Sequence, residues 1–309
     1  LVSGLVLASC SKQETKTDNP LLQKWDTPFE TAPFEKIKVE HYLPAFEAAI
    51  AEHNKEIQAI IDNAEAPTFD NTIAALDYSG ETLSKVAGVF FNMMAANTSE
   101  ELQKVNEKVG PMMATHSDNV SMNAKLFEKI KAVYDAKDSQ KYTGEQLALL
   151  EKTYNKFVRS GALLDAAKQE ELRKVNAELT KVEAKFDANL LKETKAYQLV
   201  VEKEEDLKGL PQGEKEKAAA LAKQEGKEGK WIFTLDNPSF MPFVTYADNR
   251  DLRKEIFNAR VNRCNNGGET DNNALVAQMS ELRAKKAQLL GYETFAHYQL
   301  EERMAKEPK

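Results

Sequence analysis

The sequence predicts a mostly α-helical protein with a short two-stranded β element. Three observations predict it. Gly (13) and Pro (10) are scarce among 309 residues, while the helix formers Ala, Leu, Glu, Lys and Gln dominate. Apolar residues recur three and four apart over long stretches, the period of a helix with one buried face. Only residues 197–201 (YQLVV) and 231–235 (WIFTL) read as β-rich. Hydrophobic residues make up 42% of the chain, enough for a core and against wholesale disorder. A formal charge of −7 argues against a nucleic-acid partner, which would call for a basic face. Two cysteines, Cys10 and Cys264, exclude a disulfide framework and a Cys-based structural zinc site.

Residues 1–9 are apolar and small, and Leu7-Ala8-Ser9 precedes Cys10. This pattern resembles the lipobox of a bacterial lipoprotein signal, whose Cys sulfur carries the lipid. The bland alternative is an ordinary buried apolar segment with a core cysteine. Residues 10–19 then form a polar tether, and Ser11 after the cysteine resembles outer-membrane sorting. The expectation is a body anchored through Cys10 on the periplasmic side of a bacterial envelope. The chain starts at Leu1 without a Met and stops at Lys309 in a helical pattern, so it is expected to be part of a longer protein.

Residues 20–33 are Pro-punctuated and aromatic and read as an ordered, extended strap. A helix starts near Val39; Leu43, Phe46, Ile50, Ile57 and Ile61 keep the helical period, with a gap at His53 and Asn54. Thr68 opens the next helix, carrying Ile73, Leu76, Leu83, Val86, Phe90 and Met94. Thr98 and Glu101 have capping-box spacing, and the helix they open continues with a kink past Pro111. Residues 142–145 open a helix that leads to Phe157. From Asp165 to about Lys195 runs one long amphipathic helix striped by Leu172, Val175, Leu179, Val182 and Phe186. The two β-rich stretches flank a charged helix at residues 214–225. Helices resume at residues 248–264, 271–290 and 294–305, and residues 265–268 (NNGG) form a turn.

Spacing alone supplies no complete active site. A helical zinc peptidase needs two histidines one turn apart with a Glu between, because those side chains then share a face. The four histidines, His41, His53, His116 and His297, offer no such pair. Glu293, His297 and Glu301 lie four apart and read as a salt-bridge ladder or a weak metal site. Arg250, Arg253 and Arg260 recur at helical spacing and either line a groove for a carboxylate or form a solvated face. Cys264 reads as an inert buried thiol.

Several segments in order carry a resemblance. They are residues 19–29 (NPLLQKWDTPF), residues 33–46 (PFEKIKVEHYLPAF) and Phe69-Asp-Asn-Thr-Ile73 with Ser79-Gly80 and Phe90-Phe91-Asn92. They continue with Phe157-Val-Arg-Ser-Gly-Ala-Leu163, residues 233–240 (FTLDNPSF), residues 246–253 (YADNRDLR), residues 287–292 (AQLLGY) and Ala296-His-Tyr298 with Met304-Ala305. Together they resemble the thimet oligopeptidase family of zinc metallopeptidases, its bacterial peptidyl-dipeptidases in particular.

The resemblance implies a helical, two-lobed peptidase with a deep channel, acting as a monomer on short peptides. Zinc would sit on an H-E-x-x-H helix with a further Glu downstream. Residues 20–235 would form the N-terminal helical lobe and residues 236–309 the start of the catalytic domain. The zinc ligands, the general base and the later Tyr and His groups have no counterpart in this sequence, so no catalytic or metal residue is carried over. The fragment itself is expected to be inactive and zinc-free. The alternative is a non-catalytic helical lipoprotein that binds peptides or a partner protein.

Overall fold

The computed structural model describes residues 18–309. Cys10, the signal-like residues 1–9 and most of the tether lie outside the described residues. The described residues divide into two compact units: 18–177 with Lys286–Glu293, and Glu178–Lys285 with Thr294–Lys309. Among the described residues no helix is long and apolar enough to cross a membrane.

The first unit opens with the strap, which is not simply extended, because Pro20–Leu22 and Pro28–Glu30 form 3-10 turns. Asn19 pins it: its side-chain NH2 donates to the His41 carbonyl at 2.8 Å, and its side-chain oxygen accepts from the Leu21 amide at 3.0 Å. Helix α1 is Val39–Asp62 and begins where the apolar period predicts. His41 serves its N-terminus, with Nδ1 accepting from the Lys38 amide at 3.0 Å.

Thr68 caps the next element, but the single helix read from there to Met94 is broken. A π-helical turn, Phe69–Ala74, runs into α2, Ala75–Tyr78, and the chain turns at Ser79-Gly80 before α3, Glu81–Ala96. Gly80 sits at φ 75°, which a non-Gly residue adopts only with strain. Helix α4 is Glu100–Ser121 and runs on through Pro111. Its N-cap is Ser99, not Thr98, with Oγ accepting from the Leu102 amide at 3.2 Å. Helix α5, Ala124–Asp135, starts at the Asn123 cap, and α6, Gly144–Arg159, starts at a Thr143–Gln146 capping box. Helix α7 is Ala166–Ala196, as its stripe predicts. Two buried clusters fill this unit, one around Phe46, Val86 and Phe90, the other around Ile73, Leu126, Ile130 and Leu150.

In the second unit, β1 (Leu199–Val201) pairs antiparallel with β2 (Trp231–Phe233), Val200 opposite Ile232. Helix α8, Gln212–Gln224, lies between them in sequence. Helix α9, Asn237–Tyr246, is an addition to the elements that the sequence pattern predicts. Pro238 sits in its first turn, where a missing N–H costs nothing. Helix α10 is Arg250–Val261, and α11, Asn273–Leu289, follows the NNGG turn. Helix α12, Phe295–Leu300, stops short of the expected Ala305. Leu199, Leu207, Phe233, Leu235, Phe243 and Ile256 form the core of this unit.

Candidate functional site

The gap in the apolar stripe of α1 marks the site. His53 faces His116 of α4, although the two are 63 positions apart in sequence. His53 Nδ1 and His116 Nε2 are 2.9 Å apart, and His53 Nε2 is 3.1 Å from Ser79 Oγ. Ser79 donates its one hydroxyl proton to the Leu76 carbonyl at 2.7 Å. It must therefore accept from His53 Nε2–H. Neutral His53 then has an unprotonated Nδ1, which accepts from His116 Nε2–H. The chain of donors runs His116 to His53 to Ser79 to the Leu76 carbonyl. It begins at His116, whose Nδ1 is a buried lone pair without a hydrogen-bond partner among the described residues.

The α2–α3 turn makes this packing possible. The Gly80 amide donates to Glu56 Oε2 at 2.7 Å, and a Cβ at Gly80 would lie 3.1 Å from the His53 ring. Only a glycine lets the ring come this close without displacement. Burial lowers the pKa of His53; Glu56 raises it in part and Lys156 lowers it further. Burial also lowers the pKa of His116, with His53 adding to the effect. Both imidazoles are therefore held neutral.

The sign of the stability effect follows. Unfolded histidines protonate near 6.5, and the folded pair protonates only at lower pH. The contribution of the pair is full above pH 6.5 and is lost as pH falls through 6.5 towards the folded values. Melting temperature should fall by a few degrees between neutral pH and the acid side of that window. The slope should flatten in the His53→Gln/His116→Gln double variant. Equal slopes in thermal melts of the two proteins would show that the pair does not titrate in this way.

The pair opens on a cavity of about 330 Å³. Leu76, Leu83, Val120 and Phe157 give it apolar walls, and Ser84, Ser117, Ser121 and Thr153 add hydroxyls. Asp77 and Lys156 complete the lining, and both are exposed.

The residues singled out by spacing are placed elsewhere. Helix α12 covers only Phe295–Leu300, so Glu293 precedes its Thr294 cap and the three residues do not ride one helical face. His297 Nδ1 pairs with Thr294 Oγ1 at 2.8 Å. Arg253 and Arg260 of α10 do not line a carboxylate groove. Arg253 donates to the carbonyls of Ala247 and Asp248. Arg260 donates to the Leu235 carbonyl and to Asn237 Oδ1, each at 2.6 Å, with its guanidinium 4.3 Å from the centre of the Phe240 ring. They tie loops to helices. Cys264 is buried, and burial, with Glu193 beside it, pushes its thiol up to about 11, so it carries no thiolate at neutral pH.

Among the described residues no three His, Cys, Asp or Glu side chains converge to hold a metal. Zinc of the kind the resemblance implies does not fit the described residues.

The similarities to known proteins agree with the ordered segments. Residues 243–309 match the family model of Peptidase family M3. Over 291 residues, 94% of this chain, it is 34% identical to a protein of Salmonella typhimurium named dipeptidyl carboxypeptidase, covering 43% of that protein. The protein of that name in Escherichia coli is 33% identical over 293 residues, 95% of this chain and 43% of its own length. A probable cytosolic oligopeptidase A of Arabidopsis thaliana is 29% identical over 301 residues, 96% of this chain and 42% of its own. The chain thus spans less than half the length of these relatives. The chain is similar to Peptidase family M3 at residues 243–309 and, along most of its own length, to less than half of each of these named proteins.

Proposed function

We propose that this chain is the non-catalytic N-terminal portion of a zinc-dependent peptidase that hydrolyses short peptides and releases dipeptides from a free C-terminus. The observation that carries this reading is the 34% identity, along 94% of the chain, to a protein named dipeptidyl carboxypeptidase. The identity to a protein named oligopeptidase A of the same organism is lower, at 28%. Residues 236–309 are read as the start of the catalytic domain, which the family match at residues 243–309 supports. On this reading the zinc site and the bond-breaking step belong to a portion of the protein that follows Lys309.

On the same reading the protein is a monomer of the bacterial envelope, anchored by a lipid on Cys10. The test begins with the coding DNA beyond the Lys309 codon. An open frame encoding H-E-x-x-H, whose product removes dipeptides in a chelator-sensitive manner, is the expected result. Chelator-sensitive cleavage by residues 20–309 alone would overturn the assignment of this portion as non-catalytic. Labelled fatty acid should enter the protein and be lost in Cys10→Ala; incorporation unchanged in that variant would refute the anchor.

A further inference from the structure

The cavity beside the histidine pair presents two opposite charges that nothing in the described residues neutralises. Asp77 and Lys156 both line it, yet neither forms an ion pair or a side-chain hydrogen bond, with the other or with any described neighbour. Hydroxyls line the cavity as well. Ser121 is 6% exposed, lines the cavity and has no side-chain partner among the described residues. Thr153 and Ser117 line it as well, and they too have no side-chain partner among the described residues. Ser117 is exposed and Thr153 half-buried, so these hydroxyls are open to donate to or accept from a polar ligand at this concave site.

The remaining lining is apolar, with Phe157 buried at 3% exposure. The imidazoles contribute no charge, since burial keeps both neutral and their protons are committed along the chain to Ser79. Glu56 is held by the Gly80 amide and is not part of the lining. The site is therefore a small concave surface with one free anion, one free cation, free hydroxyls and an apolar wall.

We propose that this cavity binds a small zwitterion, a free α-amino acid or a dipeptide, with its ammonium on Asp77, its carboxylate on Lys156 and its side chain against the apolar wall. The volume, about 330 Å³, is at the small end of ligand pockets and suits a body of one or two residues. A simple anion would leave Asp77 repelling it, and a simple cation would meet the same repulsion from Lys156. Only a molecule carrying both charges uses both groups. The assignment rests on the cavity alone and not on the peptidase reading.

The test is isothermal titration of the 309-residue chain with L-leucine and L-leucyl-glycine, each against two analogues. N-acetyl-L-leucine lacks the ammonium, and L-leucinamide lacks the carboxylate. At least one of the two zwitterions should bind, with about tenfold weaker binding for each analogue. The Asp77→Asn and Lys156→Met variants should each lose about tenfold as well. Both positions are exposed, so folding is retained and is checked by circular dichroism. The ring resonances of His53 and His116 should shift on binding, which locates the ligand. Binding of either analogue as tight as the zwitterion overturns the proposal, as does unchanged affinity in both variants or no binding by either zwitterion. None of these results bears on peptide cleavage, so the peptidase reading stands or falls separately.

Discussion

Replacing Gly209 with Ala should destabilise the second unit by about 3 kcal/mol or more. Gly209 adopts φ 84°, where an L side chain is strained. A Cβ there would lie 2.1 Å from the Tyr246 carbonyl oxygen, 2.7 Å from Asp248 Oδ1 and 3.0 Å from the Asp248 amide nitrogen. Two of those three atoms are backbone, so no side chain can rotate away. The Asp248 amide donates to the Lys208 carbonyl at 2.8 Å, which fixes the approach. Leu207 and Leu210 on either side are buried in the core with Phe243 and Ala247. Relieving the clash must therefore pull the α9–α10 junction or the two leucines from place. Gly213→Ala is the control: Gly213 lies in α8 with nothing within 4 Å of its would-be Cβ. That change should be neutral or stabilising by up to about 1 kcal/mol. Urea melts and amide exchange at β1 and β2 distinguish the two, and equal stabilities would refute the argument.

Local chemistry made much of the helical framework legible. The period of α1, the Thr143 capping box and the stripe of α7 are each written in a few neighbouring residues. So are the two strands, whose residues are β-branched, aliphatic or aromatic. What local reading missed depended on tertiary context or on misread punctuation. Helix α9 was missed because Pro238 and Pro242 look like breakers, although the first sits where proline is tolerated. The break at Ser79-Gly80 was hidden because the apolar period continues across it from Leu76 to Leu83. The arginines of α10 looked available at helical spacing, while their partners are backbone carbonyls of other segments.

The histidine site is the sharpest case. A search along one helix for paired histidines could not find His53 with His116, because α1 and α4 bring them together only in the fold. The signal was present as an omission: a polar residue where the stripe of α1 should have continued. A histidine on an otherwise buried stripe needs a hydrogen-bond partner, and that partner lay 63 positions away.

The same stripe sets the second large effect. Phe90→Ala should cost about 3–5 kcal/mol, since it removes a fully buried ring from a tightly packed site. Phe90 is 0% exposed and meets Tyr42, Phe46 and Phe91 edge-on, with ring centres 5.1, 5.4 and 5.2 Å away. Each such pair adds on the order of 1 kcal/mol beyond the area buried. Phe91 is the internal control, because it is 44% exposed and its alanine variant should lose about 1 kcal/mol. Phe90 joins α3 to α1, and Phe46 stands about two turns before His53 on the same face of α1. Loosening that seam should free the His53 ring from His116, so the ring resonances of the pair should broaden in Phe90→Ala and stay sharp in Phe91→Ala. Chemical denaturation measures the first effect and proton NMR the second. If Phe90→Ala loses stability while the histidine resonances are unchanged, the core does not position the cavity, and the turn at Gly80 must hold the pair by itself.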